Sequence, residues 1–322
     1  MPVITRRALL GAAAALPLAR PALAAWPDQP IRVIVPWNAG GLADIVIRAL
    51  SGPISGPLGQ PVVIENRPGA NGAVGTQAVA RANPDGHTLI LANAETHAIN
   101  PLIYPKLTYN PVTDFTPVTL FARGPFALII RPGLGVEDFA GFIAKVRAEP
   151  GKLTFASWGI GSTPHLAMEG LLKQNNLQML HVPFTGAAPA STAIVGGQVD
   201  AMFLNAGPAE AVSRDGKVKI LALGASERLS TLPNTPTLAE LGQPIEAGNW
   251  FGLLGPARMQ PAIAERIATV IGEQLKAPAM REIFRTQAAV PTTTTPDEMR
   301  KFIADDTARW SSVVKDLNIR LD

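Results

Sequence analysis

Short apolar runs alternate with stretches of helical period along most of the chain. IRVIV at 31–35 opens the series. Similar runs at 62–64, 88–92, 118–121, 127–130, 153–155, 179–182, 201–204 and 219–223 predict further strands. Between them, 44–55, 74–82, 136–148, 163–174, 190–195 and 237–241 carry apolar residues at helical spacing. Strands alternating with helices predict parallel sheets in an α/β architecture. The last part of the chain changes rhythm, and 261–276, 278–285 and 296–317 predict three helices. Pro261 and Pro278 suit a first helical turn. TPDE at 295–298 supplies an N-cap, then a proline and two acids.

The chain has 322 residues, a length that suits two domains. No repeat, low-complexity block or long linker separates them, so short crossings must join them. ARGP at 122–125 and the segment 244–249 are the candidates. The predicted division is 25–123 with 248–322 as one discontinuous domain, and 124–247 as the other. Two crossings beside a cleft make a hinge, the device by which binding proteins close on a ligand.

The first residues are patterned for export. TRRALL at 5–10 is a positive n-region, 9–18 is a short apolar run, and Ala22-Leu23-Ala24 fits a cleavage site. Residues 1–24 are therefore predicted to be a signal peptide, and the protein periplasmic. Arg6-Arg7 resembles a twin-arginine signal. The apolar run falls short of the roughly 18 residues of a spanning helix, and there is no cysteine to carry a lipid.

Export changes the charge balance. The whole chain holds 28 Lys and Arg against 25 Asp and Glu. Residues 1–24 contain Arg6, Arg7 and Arg20 and no acid, so their removal leaves 25 against 25. That balance offers nothing to a nucleic acid or an anionic membrane. The absence of cysteine excludes thiolate metal sites and cysteine nucleophiles. His87, His97, His165 and His181 show no metal-ligand spacing, so no metal and no cofactor is expected.

Four loops of one character follow predicted strands. The first, VPWNAGGLADIV at 35–46, puts Trp37, Asn38, Ala39, Gly40 and Gly41 at a helix N-terminus, where backbone N–H groups and the helix dipole favour an anion. Neither a dinucleotide fingerprint nor a P-loop is present, and no lysine lies between Arg32 and Arg48. One carboxylate fits better than a polyphosphate. An ordinary strand–helix turn accounts for the same local features. Trp37 also suits a core, and Asp44 also suits a first turn that favours the dipole.

The second loop, ASWGIGSTPHL at 156–166, offers Ser157, Gly159, Gly161 and Ser162 ahead of another helix. Ser162 with His165 invites a hydrolase reading, but there is no Gly-x-Ser-x-Gly elbow and no placed acid. The third, VPFTGAAPA at 182–190, offers Thr185, Gly186 and Ala187. The fourth, ANAETHAINP at 92–101, offers Asn93, Thr96 and His97. Each alone is compatible with a capped turn. Together, at the carboxyl ends of parallel strands, they point to one cleft and a small anion held by neutral donors.

These segments resemble the Bug family of extracytoplasmic solute-binding receptors, which serve tripartite tricarboxylate transporters. The resemblance runs from Trp26-Pro27 to the last helix. It rests on PWNAGGLAD (36–44), ENRPGANGAVG (65–75), PDGHTL (84–89), THAINP (96–101), YNPVTDFTPV (109–118), GIGSTPHL (159–166), VPFTGAAPA (182–190), GGQVD (196–200) and LPNTPT (232–237). It implies a periplasmic-binding-protein fold of the Venus-flytrap, type II-like class, with a small carboxylate in the cleft and a membrane permease as transient partner. It implies no catalytic role and no nucleic-acid partner, and a monomer is expected. The ligand carboxylate would meet the loop at 37–41 and the loop at 157–162. An acid-sensing accessory protein is the alternative role, and a secreted hydrolase the less favoured one.

The sequence also departs from the family pattern. Trp37 stands where Phe is usual, Asn38 and Leu42 replace small residues or proline, and Asn249 replaces Ser. Leu204 stands where an Asp is common, followed by Asn205, which joins the candidate ligand-binding set. Loss of that acid removes a partner for an amino group and argues against an amino-acid ligand.

Overall fold

The computed structural model describes residues 26–243 and 245–321. The predicted signal peptide and Pro244, in the second predicted crossing, lie outside the described residues. The first elements are β1 (Ile31–Val35), α1 (Leu42–Leu58), β2 (Val62–Asn66), α2 (Ala73–Ala80), β3 (Thr88–Ala92) and α3 (Asn100–Ile103). A 16-residue strand, β4 (Phe115–Ile130), leads to α4 (Phe139–Ala148), β5 (Thr154–Ser157), α5 (Thr163–Gln174), β6 (Leu180–Pro183) and α6 (Ala187–Val195). Then come β7 (Ala201–Asn205), α7 (Ala206–Arg214), β8 (Lys219–Leu223) and β9 (Gly248–Pro256). The chain ends with α8 (Pro261–Leu275), α9 (Pro278–Thr286), β10 (Val290–Pro291) and α10 (Pro296–Leu317).

The strands form two sheets that share β4. In the first, β2, β1 and β3 run parallel, β9 lies antiparallel between β3 and β4, and β10 pairs with β4. In the second, β6, β5 and β7 run parallel, and β7 and β8 both pair antiparallel with the end of β4. Buried strands such as IRVIV and TLILA read as near-continuous apolar runs because helices cover both faces. One core packs α1, α8 and α9 against β1 and β3. Another packs α4 and α5 against β4, β5 and β7.

Two predicted strands, 118–121 and 127–130, are in fact one. Gly124 and Pro125 look like a break, but they fall where β4 changes partners. Pro125 faces Gly248 of β9, and pairing to β7 begins at Phe126, whose N–H donates to the Ala247 carbonyl at 2.9 Å. A residue without an N–H is tolerated at such a changeover. β9 and α7 are not predicted by the sequence pattern. The predicted helix at 237–241 is only a turn, closed by reciprocal hydrogen bonds between Thr237 and Glu240.

β4 and β9 run side by side from one sheet toward the other. Successive residues of β9 face opposite ways, which puts Phe251 on one side of the crossing and Trp250 on the other. Among the described residues, no helix is long and apolar enough to cross a membrane.

Candidate functional site

The loop between β1 and α1 is set by its own hydrogen bonds. Gly40 has φ +85°, a conformation that glycine adopts freely. Its N–H donates to Asp44 at 3.0 Å. Asp44 also accepts from Arg48 Nε and from Asn66 Nδ2, both at 2.9 Å, and Asn66 in turn donates to the Trp37 carbonyl at 3.0 Å. Burial by itself raises the Asp44 carboxyl. The hydrogen bonds from Arg48, Asn66 and Gly40 together outweigh it and hold the group below the ordinary carboxylate range. Asp44 therefore braces the loop from behind and does not line the cleft.

In front of this loop lies a cavity of about 530 Å³. Trp37 to Ala43 form one wall, continued by Pro68 to Gly72 from the turn after β2. Thr185 to Pro189 and Ser191, around the start of α6, form the facing wall. Leu204 and Asn205 at the end of β7, Pro208 of α7 and Trp158 after β5 extend it. Asn93, Asn249 and Phe251 complete the lining. No lining residue is acidic or basic.

Two helix N-termini open into this space. The N–H groups of Gly41, Leu42 and Ala43 at α1, and of Gly186, Ala187 and Ala188 at α6, have no acceptor among the described residues. The two loops come close. A Cβ on Gly186, which has φ +149°, would lie 3.4 Å from Asn38 Nδ2. The Asn38 side chain has no hydrogen-bond partner among the described residues, and Asn205 Nδ2 makes only a 3.5 Å contact to the Gly124 carbonyl. The site can thus hold an anion with backbone amides and carboxamide donors, against apolar surface from Trp37, Trp158, Leu204 and Phe251.

Ten of the seventeen residues expected from sequence line this cavity: Trp37, Asn38, Ala39, Gly40, Gly41, Asn93, Thr185, Gly186, Ala187 and Asn205. The other seven do not. Besides Asp44, these include Thr96 and His97, which are fully buried behind β3. Thr96 is bonded to Asn93, and its hydroxyl lies 2.9 Å from His97 Nδ1. Gly161 packs against Ile103 of α3, and Gly159 accepts from the Ser157 and Ser162 hydroxyls. Ser157 and Ser162 are themselves fully buried. Of the second loop, only Trp158 reaches the cavity.

The acceptor at the N-terminus of α5 is supplied by the protein. Glu95, fully buried at the start of the π-helical turn Glu95–Ile99 that leads into α3, accepts from the Thr163 N–H at 3.1 Å and the Thr163 hydroxyl at 2.7 Å. It also accepts from Trp158 Nε1 at 3.2 Å and Asn249 Nδ2 at 2.9 Å. The loop pattern points to Asn93, Thr96 and His97 around Glu95 and not to Glu95 itself. Its partners are 63, 68 and 154 positions away, and no local pattern announces them. The turn at 68–72 was also missed as lining, although its PGANG composition is an open signal of irregular backbone.

Behind the second loop, the rings of His165 and His181 stack with centroids 3.9 Å apart. His181 Nε2 lies 2.7 Å from the Ser157 hydroxyl, and His165 Nδ1 accepts from the Gly161 N–H at 3.1 Å. Burial, with His181 beside it, lowers His165 to about 3, and burial lowers His181 to about 4. Ser162 and His165, the pair that invited a hydrolase reading, bond to separate loop backbone groups. No group of potential metal ligands is found among the described residues.

A wider groove of about 920 Å³ lies on the Trp250 side of the crossing strands. It is rich in charge, but much of that charge is paired internally: Arg309 with Asp306 at 2.6 Å, Arg285 with Glu282 at 2.6 Å and Arg228 with Glu240 at 3.0 Å. The smaller, uncharged cavity has the convergent donors that ligand sites require.

Residues 46–319 match the tripartite tricarboxylate transporter family receptor. The chain is similar to protein BugT of Bordetella pertussis, with 35% identity over 298 residues covering 92% of this chain and 91% of that one. Among solved structures it is similar to an R. palustris protein with adipate, at 30% identity, TM-score 0.87, and coverage of 92% of this chain and 99% of that one. It is also similar to MatC from Rhodopseudomonas palustris with bound malate, at 33% identity, TM-score 0.83, and coverage of 90% and 100%.

Proposed function

Since the chain belongs to the tripartite tricarboxylate transporter family of receptors, we propose that it closes on one small organic carboxylate in the cavity between its two sheets and delivers it to a membrane permease. Receptors of this family are components of transport systems and not enzymes. The observation that carries the ligand class is the pair of helix N-termini, α1 and α6, opening with free N–H groups into a cavity without a charged side chain. A carboxylate there receives backbone donors from both sides and needs no countercharge. The adipate and malate held by two relatives are small carboxylates.

The two lobes are 25–123 with 248–322, and 124–247, hinged where β4 and β9 cross. Asn38 and Gly186 lie on opposite lobes, so a carboxylate between them stabilises the closed form by touching both. Ala39, Gly40 and Gly41 approach the ligand with backbone, Thr185 and Ala187 from the other side, and Asn93 and Asn205 with carboxamides. Trp37 supplies apolar wall. Leu204, where the family commonly has an Asp, leaves an ammonium group without a partner and disfavours amino acids. The chain is exported to the periplasm by the segment 1–24, with Arg6-Arg7 as a twin-arginine signal, and acts as a monomer.

Native mass spectrometry on the purified protein, before and after unfolding and refolding, tests the proposal. A small acid that is released on unfolding supports it. If the protein is empty and a thermal-shift panel of mono-, di- and tricarboxylates gives no shift, the carboxylate assignment fails.

A further inference from the structure

We propose that Glu95 determines ligand specificity: it is a resident carboxylate that occupies the α5 N-terminus across the cleft and biases the cavity toward ligands with a single negative charge. The inference rests on the carboxylate-receptor reading and narrows it.

Glu95 has four hydrogen bonds: three from groups that can only donate, the Thr163 N–H, the Trp158 indole N–H and the Asn249 amide, and one with the Thr163 hydroxyl. A carboxylate has acceptor sites for all four at once. Glu95 is fully buried, and no salt bridge involves it among the described residues. The α5 terminus offsets roughly half a charge. A net negative charge remains, one side chain behind the lining.

The position matters because two of its partners are lining residues. Trp158 and Asn249 both border the cavity, and both are oriented by hydrogen bonds to Glu95. One ligand carboxylate has its donors at the α1 and α6 termini. A second one, reaching toward Trp158 and Asn249, meets donors already spent on Glu95 and a like charge behind them. No lysine or arginine lines the cavity to relieve that repulsion. Selection by an unfavourable second charge is specificity by exclusion. The apolar surface of Trp158, Leu204 and Phe251 suits an uncharged ligand body.

Binding of matched pairs by calorimetry at pH 7.5 tests this: succinate against monomethyl succinate, and adipate against monomethyl adipate. Wild-type protein should bind each monoester at least about threefold more tightly than its diacid. In Glu95→Gln the ratio should move toward the diacid by about tenfold, on the scale of a like charge at effective dielectric ~20. Lost hydrogen bonds in that variant weaken both members of a pair and cancel in the ratio. If Glu95→Gln does not fold, the wild-type preference still decides. A diacid preferred by the wild type, or a ratio unchanged in Glu95→Gln, overturns this inference alone. Binding of no member of either pair overturns this inference, and the carboxylate reading falls with it only if the wider panel of mono-, di- and tricarboxylates also gives no shift.

Discussion

The Asp44 carboxylate accepts the Gly40 N–H at 3.0 Å, so the first turn of α1 holds the loop that precedes it. Arg48 and Asn66 complete the arrangement, and Asn66 extends it to the Trp37 carbonyl. Asp44→Ala leaves three donors without their acceptor. It should lower stability by about 2 kcal/mol and weaken ligand binding through a loosened 37–41 loop. The Asp44 carboxyl sits below its ordinary range, so its stabilisation is present above about pH 4 and is lost as the pH falls through the depressed value. Urea midpoints and ligand affinity of Asp44→Ala beside wild type check this. Unchanged values for both would show that the loop stands without Asp44.

The stacked pair His165 and His181, with the buried His97, makes the fold sensitive to mild acid. Burial lowers them to about 3, 4 and 3 in that order, with His181 beside His165 adding to its shift. An unfolded histidine titrates near 6.5. Below that pH the unfolded chain binds protons that the folded chain refuses. Stability is therefore full above about pH 6.5 and falls toward the depressed values, by up to ~1.4 kcal/mol per pH unit for each group. Urea midpoints at pH 7, 6 and 5 should decline steeply. His165→Gln, which keeps an acceptor for the Gly161 N–H, should flatten the slope by about one proton's worth. A wild-type profile flat from pH 7 to 5 would contradict the burial argument.

Gly124 lies in β4 where it changes partners, beneath the cavity. A Cβ there would sit 2.7 Å from Leu42 Cδ2, 3.1 Å from Asn205 Nδ2 and 3.3 Å from Phe251 Cε2. All three residues line the cavity. Gly124→Ala should push them inward and weaken ligand binding by about tenfold or more, with a stability loss of about 1–3 kcal/mol from overpacking. Calorimetry and a urea titration on the same preparation measure both. An affinity equal to wild type would mean that the cavity floor adjusts without narrowing.

What the sequence made legible follows from where information is local. IRVIV and TLILA identify themselves as buried strands, and Thr163–Gln174 as a helix, because composition and period suffice. β9 was not legible: NWFGLLGP carries two glycines and ends on a proline, and only its pairing with β3 and β4 makes it a strand. Loop chemistry pointed to residues of which ten line one cavity, but side-chain direction was beyond it. In the second loop the donors Ser157 and Ser162 turn inward to Gly159, and Trp158 between them reaches the cavity. Glu95 was illegible for a related reason, since a side chain that caps a helix 68 positions away leaves no mark near itself in the chain.

Gly41 and Gly72 border the same cavity but should respond differently to a side chain. Gly41, the N-cap of α1, has φ −77° and ψ 164°, ordinary values for any residue. A Cβ there would meet nothing nearer than the Asn38 carbonyl at 3.9 Å. Gly41→Val should therefore fold normally, while its branched side chain crowds the amides of Leu42 and Ala43. Ligand affinity should fall at least about tenfold, ~1.4 kcal/mol. Gly72 has φ +83°, and its Cβ would lie 2.7 Å from Thr96 Cγ2 and 3.2 Å from Trp37 Cζ2. Gly72→Ala combines a disfavoured backbone with displacement of Trp37, and should cost about 1–3 kcal/mol of stability as well as affinity. Thermal melts and calorimetry on both variants separate the cases. A Gly41→Val protein that binds as tightly as its parent would place the ligand away from the α1 terminus.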